Sequence, residues 1–155
     1  MNHSVEQRLL ELNLELPNPS PPAGNIVPYV IAGSLVFLSG QSTLWNGEPR
    51  FLGMIGRDFN LEEAKEATKL CALNLLAQLR VACGGDLDRV ERIVKVTGFI
   101  RVTDDFTELP QAMNGASDLM VTVFGDNGKH SRTGVGVSKL PRGSAAVVEA
   151  IATLK

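Results

Sequence analysis

The chain has 155 residues, with 15 lysines and arginines against 17 aspartates and glutamates, a formal net charge of −2 and 44% hydrophobic residues. A chain of this length builds one core and buries roughly two-thirds of the surface its unfolded form exposes, so a single domain is expected. The positive charges are scattered rather than gathered into a phosphate-tracking run, no apolar stretch reaches bilayer length and no apolar segment follows a basic start, so neither nucleic acid, membrane nor secretory signal is expected and a cytoplasmic setting is the default.

Residues 4–12 carry Val5, Leu9 and Leu12 at helical spacing behind Ser4, which predicts a short capped amphipathic helix. Pro17, Pro19, Pro21 and Pro22 forbid regular helix in the next stretch, which should run extended over the surface to Pro28 and Tyr29. Residues 29–32 and 35–39 read as β runs joined at Gly33-Ser34, a hairpin signal. Asn46-Gly47 is a strong turn dipeptide, and residues 50–55 return either as an edge strand or as a loop.

The clearest helix spans residues 58–81: Leu61, Ala64, Cys71, Leu75 and Leu79 keep helical spacing, and Leu70, Leu73 and Leu76 widen the apolar stripe. Gly84-Gly85 stops it. Residues 93–102 are rich in β-branched side chains and alternate with the period of a half-buried strand. A second helix is expected over residues 107–124, with Pro110 in its first turn and Leu109, Met113, Ala116, Met120 and Val123 facing inward. Residues 133–137 and 145–153 then read as a closing hairpin joined across Leu140-Pro141-Arg142-Gly143, a turn that leaves Arg142 solvated.

This order implies an α+β domain in which one sheet carries both main helices on one face. The other face then needs a cover: Val135, Val137, Val147 and Ile151 alternate in ways that could serve either face, and self-association often buries a helix-bare face in a domain this small.

The common catalytic constellations are missing: there is no phosphate-binding glycine loop, no dinucleotide fingerprint and no nucleophile elbow. His3 and His130 are the only histidines, so metal sites and His-based triads are not expected, and neither is a cofactor. Cys71 lies on an apolar helix stripe and reads as core. Cys83, beside Gly84-Gly85, reads as the more exposed thiol, with Arg80 as its near basic neighbour in sequence.

The run from Ser131 to Gly143 (SRTGVGVSKLPRG), followed by Val147-Val148-Glu149-Ala150-Ile151-Ala152, resembles the signature of the RidA family, also called YjgF or L-PSP. Pro28-Tyr29, Ser39-Gly40-Gln41, Asp105-Phe106 and Met113-Asn114-Gly115-Ala116 fall in matching order. The resemblance implies a RidA-like domain over residues 28–155, preceded by an N-terminal helix and Pro-rich extension over residues 1–27. It also implies a chorismate-mutase-like protomer and a homotrimer with an inner barrel of sheets and ligand clefts between subunits. The implied activity is hydrolysis of enamine and imine intermediates to 2-keto acids and ammonia, with a small 2-imino or 2-keto acid as ligand.

Under that resemblance Arg132 gains a definite task, because a planar guanidinium can hold a carboxylate through two parallel hydrogen bonds. By family position Gly40, Asn114 and Tyr29 line the same cleft. Family deaminases carry two glutamates on the last strand; the first aligns with Val147 here and only Glu149 remains, while a family cysteine is replaced by Gly134. The catalytic candidates are therefore Arg132, Glu149 and Tyr29, and the substrate-binding candidates Arg132, Gly40, Asn114 and Tyr29. The blander readings are a surface ion pair for Arg132, a structural ion pair for Glu149, a core aromatic for Tyr29, a helix brace for Asn114 and a turn glycine for Gly40. Trp45 fits either a cleft loop or a packing surface. A non-catalytic trimeric carboxylate binder is the alternative function, and a ribonuclease the third.

Overall fold

The computed structural model describes residues 4–155, so His3 lies outside the described residues. Helix α1 (Val5–Glu11) begins where Ser4 accepts a hydrogen bond from the Gln7 amide, and it buries Leu9 in the core. Residues 14–23 have no regular secondary structure, as their prolines dictate. Gln78 Nε2 donates to the Ser20 carbonyl at 3.0 Å and ties this stretch to the body of the domain.

Strands β1 (Tyr29–Ala32) and β2 (Leu35–Ser42) form the first hairpin, with Gly33 at a φ of +62°. Strands β3 (Leu44–Trp45) and β4 (Glu48–Pro49) make a minor hairpin about Asn46-Gly47, whose φ values of 50° and 83° are those of a twist-matched two-residue turn. Beyond it the chain forms a loop with isolated bridges such as Leu52–Ser144 and Ile55–Val102, and it buries Ile55 in the core.

Helix α2 (Leu61–Ala82) starts three residues later than its periodicity suggests. Asp58 is occupied in closing the preceding turn, accepting from the Met54 amide at 2.8 Å, and the capping box of Asn60 and Glu63 sets the first helical residue. Strand β5 (Val90–Arg101), helix α3 (Leu109–Phe124), strand β6 (Ser131–Val137) and strand β7 (Ala146–Leu154) complete the chain, with Pro110 in the first turn of α3.

The expected closing hairpin does not exist. The sheet order is β1-β2-β7-β5-β6: β6 pairs parallel with β5, and β7 lies antiparallel between β2 and β5. Helix α3 is the crossover that makes the β5–β6 pair parallel. Residues 138–145 then pass the end of β5 to reach its far side. Two β-branched runs flanking a Pro-Arg-Gly turn look alike whether they pair with each other or with a strand between them. Arg142, at a φ of 58°, is exposed as expected.

Both main helices cover one face, α2 over β2 and β7, and α3 over β5 and β6. Along β7, Ala146, Val148, Ala150, Ala152 and Leu154 are buried on that side, whereas Val147, Glu149, Ile151 and Thr153 point the other way. The two helices approach closely at Gly115, where an added Cβ would collide with the Lys65 carbonyl oxygen at 1.9 Å. Cys71 is fully buried, and burial pushes its thiol well above the ordinary range. Cys83 is also buried, contrary to its sequence context, because the helix end tucks inward while Arg89 holds the Cys83 carbonyl at 3.0 Å. No described helix is long and apolar enough to cross a membrane.

Candidate functional site

The ladder registers place Tyr29, Leu38, Ala150, Val96 and Arg132 in one row across all five strands. Leu38, Ala150 and Val96 are buried beneath the helices, so Tyr29 and Arg132 end the row at opposite sheet edges, on the helix side. Four strand spacings separate them, or about 19 Å.

At the β6 edge the Arg132 guanidinium is held from one side. Its NH1 donates to Asn114 Oδ1 at 2.8 Å and to Ser117 Oγ at 3.2 Å. Asn114 and Ser117 are three residues apart on α3 and so share a face. Among the described residues nothing accepts from Nε or NH2, and no carboxylate pairs with Arg132. The exposed Nε/NH2 edge presents two parallel N–H groups, the geometry that receives a carboxylate.

Behind Ser117 stands His130, which sequence reasoning set aside. Its Nε2 lies 2.9 Å from Ser117 Oγ, and its Nδ1 lies 2.6 Å from the Gly128 carbonyl oxygen. A carbonyl only accepts, so Nδ1 carries a proton, and in the tautomer with its single proton there Nε2 is the acceptor for the Ser117 hydroxyl. The signal for both residues was in the sequence: Ser117 follows Asn114 by one helical turn, and His130 precedes Arg132 by one strand period.

The other candidates lie elsewhere in the protomer. Glu149 pairs with Thr97 on the helix-free face, exposed, in a depression shared with Lys95, Phe37 and Ile151. Tyr29 is half-buried against the core. Gly40 sits where the β2–β7 register shifts, and an added Cβ there would come within 2.8 Å of Val147 Cγ1. A larger residue at Gly40 would thus make the Val147 side chain shift, and no positive φ at this position calls for glycine. Gly40 and Val147 line a cleft of about 280 Å³ together with Ile26, Pro28, Gln41 and Arg142.

Gly134, which stands where a cysteine was expected by resemblance, lies under Met113: an added Cβ would sit 2.7 Å from Met113 Cγ. The space a larger side chain would need on β6 is filled from α3. Trp45 is half-buried and packs against the core.

A family model described as "YjgF/chorismate mutase-like, putative endoribonuclease" matches residues 6–154. The chain is 39% identical over 151 residues to Protein TCP17 of Trypanosoma cruzi, covering 97% of this chain and 94% of that one. A crystal structure from Shewanella oneidensis MR-1, carrying the same endoribonuclease description, superposes with a TM-score of 0.95 at 37% identity, covering 98% of this chain and 100% of that chain. Escherichia coli TdcF, solved with bound serine, shares the fold at a TM-score of 0.62 and 23% identity over 89% of this chain and 94% of its own.

Proposed function

Because the chain belongs to the YjgF/chorismate mutase-like family, we propose that it hydrolyses small 2-imino acids and their enamine tautomers to 2-keto acids and ammonia in the cytoplasm, with Arg132 clamping the substrate carboxylate. Membership supports a small-molecule-processing role in general, and the fold accommodates serine in TdcF. The observation that carries the finer reading is the Arg132 guanidinium, braced through NH1 alone and open along its Nε/NH2 edge. Held there, a 2-imino acid keeps its electrophilic carbon next to the fixed carboxylate, which is the positioning that converts a collision into an encounter of set geometry.

The working unit in this proposal is a homotrimer. Val30, Phe37 and Val135 are 52%, 42% and 38% exposed on the helix-free face, an apolar surface that burial between sheets of neighbouring copies would remove from water. The same association would bring the Tyr29 and Gly40 edge of one protomer to the Arg132 edge of the next. Residues 28–155 form the family domain in this reading, with residues 1–27 as its extension.

The packing of Val147 on Gly40 and the placement of Glu149 on the opposite face favour the second reading, a trimer that binds small carboxylates without turning them over. A coupled assay separates the two. With threonine dehydratase generating 2-iminobutyrate, the hydrolase releases 2-ketobutyrate faster than buffer does, and Arg132→Ala removes that acceleration. Binding of 2-ketobutyrate with no acceleration favours the binder. Cleavage of RNA that survives Arg132→Ala would overturn both; the net charge of −2 speaks against it.

A further inference from the structure

The hydrogen bonds behind Arg132 form a continuous chain: Gly128 carbonyl, His130 ring, Ser117 hydroxyl, Arg132 guanidinium, Asn114 amide. A surface arginine needs no histidine two bonds away to hold its place. Asn114 alone, at 2.8 Å, would orient the guanidinium.

The hydroxyl of Ser117 has one proton and two lone pairs. The proton goes to His130 Nε2 and one lone pair to Arg132 NH1, which leaves the second lone pair for a water proton. That lone pair belongs to an oxygen 3.2 Å from the guanidinium proposed to hold the substrate. Both Ser117 and His130 are only partly buried, so water reaches them.

The geometry points to Ser117 and His130 as the proton-handling pair of this site, Ser117 contacting the attacking water and His130 accepting the proton behind it. This rests on the imine-hydrolase reading and supplies the group that Val147, which has no proton acceptor, cannot. The substrate enters as the iminium. Water bound to Ser117 gives a proton to Oγ as the Ser117 proton passes to His130 Nε2; the water oxygen bonds to C2, and the C=N pair moves onto nitrogen to give a neutral carbinolamine. The proton on Nε2 then returns through Ser117 to the amine nitrogen. The hydroxyl oxygen re-forms C=O and releases its proton along the same path, the C–N bond breaks, and ammonia leaves and takes that proton as ammonium. One iminium and one water become one keto acid and one ammonium ion. The Gly128 carbonyl keeps Nδ1–H fixed, so the lone pair always faces Ser117.

The test compares Ser117→Ala, Ser117→Thr and His130→Gln with wild type in the threonine dehydratase assay, each variant first matched to wild type by its melting curve. Losing a positioned acid–base group lowers kcat by roughly 10²-fold, with KM nearly unchanged, while Ser117→Thr restores most of the rate. Full kcat in both Ser117→Ala and His130→Gln overturns the pair. A readout without turnover is the ¹⁵N spectrum of the His130 ring on addition of 2-ketobutyrate. The pair requires the ring nitrogens to shift in wild type and the shift to disappear in Ser117→Ala; binding of 2-ketobutyrate that leaves the ring unmoved overturns it. If wild type gives no acceleration, the hydrolase reading fails on the assay, and the spectrum still decides whether ligand and His130 are coupled.

Discussion

The two faces of the sheet are made from alternate residues of the same strands but have opposite surroundings. Toward the helices β7 presents Ala146, Val148, Ala150 and Ala152, small side chains that let α2 approach, and every one is buried. Toward the other side the same strand presents Val147, Glu149 and Ile151, flanked by Phe37 and Val135, and this surface stays partly open. The covered face is specified by close packing within one chain. The open face mixes these apolar side chains with Glu149 and has no cover within the protomer, which suits the proposed association. One period-2 alternation thus gives the same strand a covered face and an open one.

Substitutions can break this division or sharpen it. Leu76→Ala, at a fully buried position between helix and sheet, is expected to lower unfolding free energy by about 3 kcal/mol, read as a lower urea midpoint at unchanged slope. Gly134→Cys, which restores the residue type expected by resemblance, forces Met113 to move and is expected to cost about 2 kcal/mol by overpacking; pairing it with Met113→Ala should return part of the loss, since the two sites share one space. On the open face the outcome reverses. Phe37→Asp should leave the protomer's denaturation midpoint within about 0.5 kcal/mol of wild type, while the mass measured by light scattering falls from that of the proposed trimer to that of a monomer. A loss of stability there as large as at Leu76 would erase the distinction between the faces.

The smallest effect concerns pH. Burial raises the thiols of both Cys71 and Cys83 above their ordinary value of 9.0. A group whose folded pKa is raised contributes stability that is fully present below its unfolded value and is lost as pH climbs. Stability should therefore decline from about pH 9 upward more steeply in wild type than in the Cys71→Ala, Cys83→Ala double variant, measured as urea midpoints across that range. Equal slopes would mean that the thiols ionise as freely in the folded chain as in the unfolded one.

Much of the fold was legible in the sequence because local physics governs it. The apolar stripe of α2, the proline at the start of α3 and the turn at Asn46-Gly47 each act over a few residues, and each appears where the chain predicts it. The insertion of β7 between β2 and β5 was not legible. Strand partners depend on contacts far apart in sequence, and the 138–145 connection carries no mark of what it passes. Cys83 was misjudged for the same reason, since flanking glycines report backbone freedom and not whether the helix end turns inward.

The site divides along similar lines. Arg132 and Asn114, named together by resemblance, are hydrogen-bonded to each other within one protomer. Gly40 and Tyr29 lie at the far edge and Glu149 on the opposite face, so in one protomer these candidates do not meet Arg132. Ser117 and His130 were passed over because two histidines in the chain suggested no constellation; their spacing links Ser117 to Asn114 and His130 to Arg132, and the packing of α3 on β6 is what brings the two pairs together.

The central claim is that the open edge of Arg132 binds a carboxylate, and titration of 2-ketobutyrate into wild type, Arg132→Lys and Arg132→Ala by calorimetry tests it most directly. Loss of a bidentate, charge-assisted contact worth roughly 1.5–3 kcal/mol weakens binding by about ten- to a hundredfold. The expected result is therefore measurable binding to wild type, a drop of at least tenfold in Arg132→Lys, where a point charge replaces the planar fork, and none detectable in Arg132→Ala. Equal affinity in all three proteins would contradict the claim.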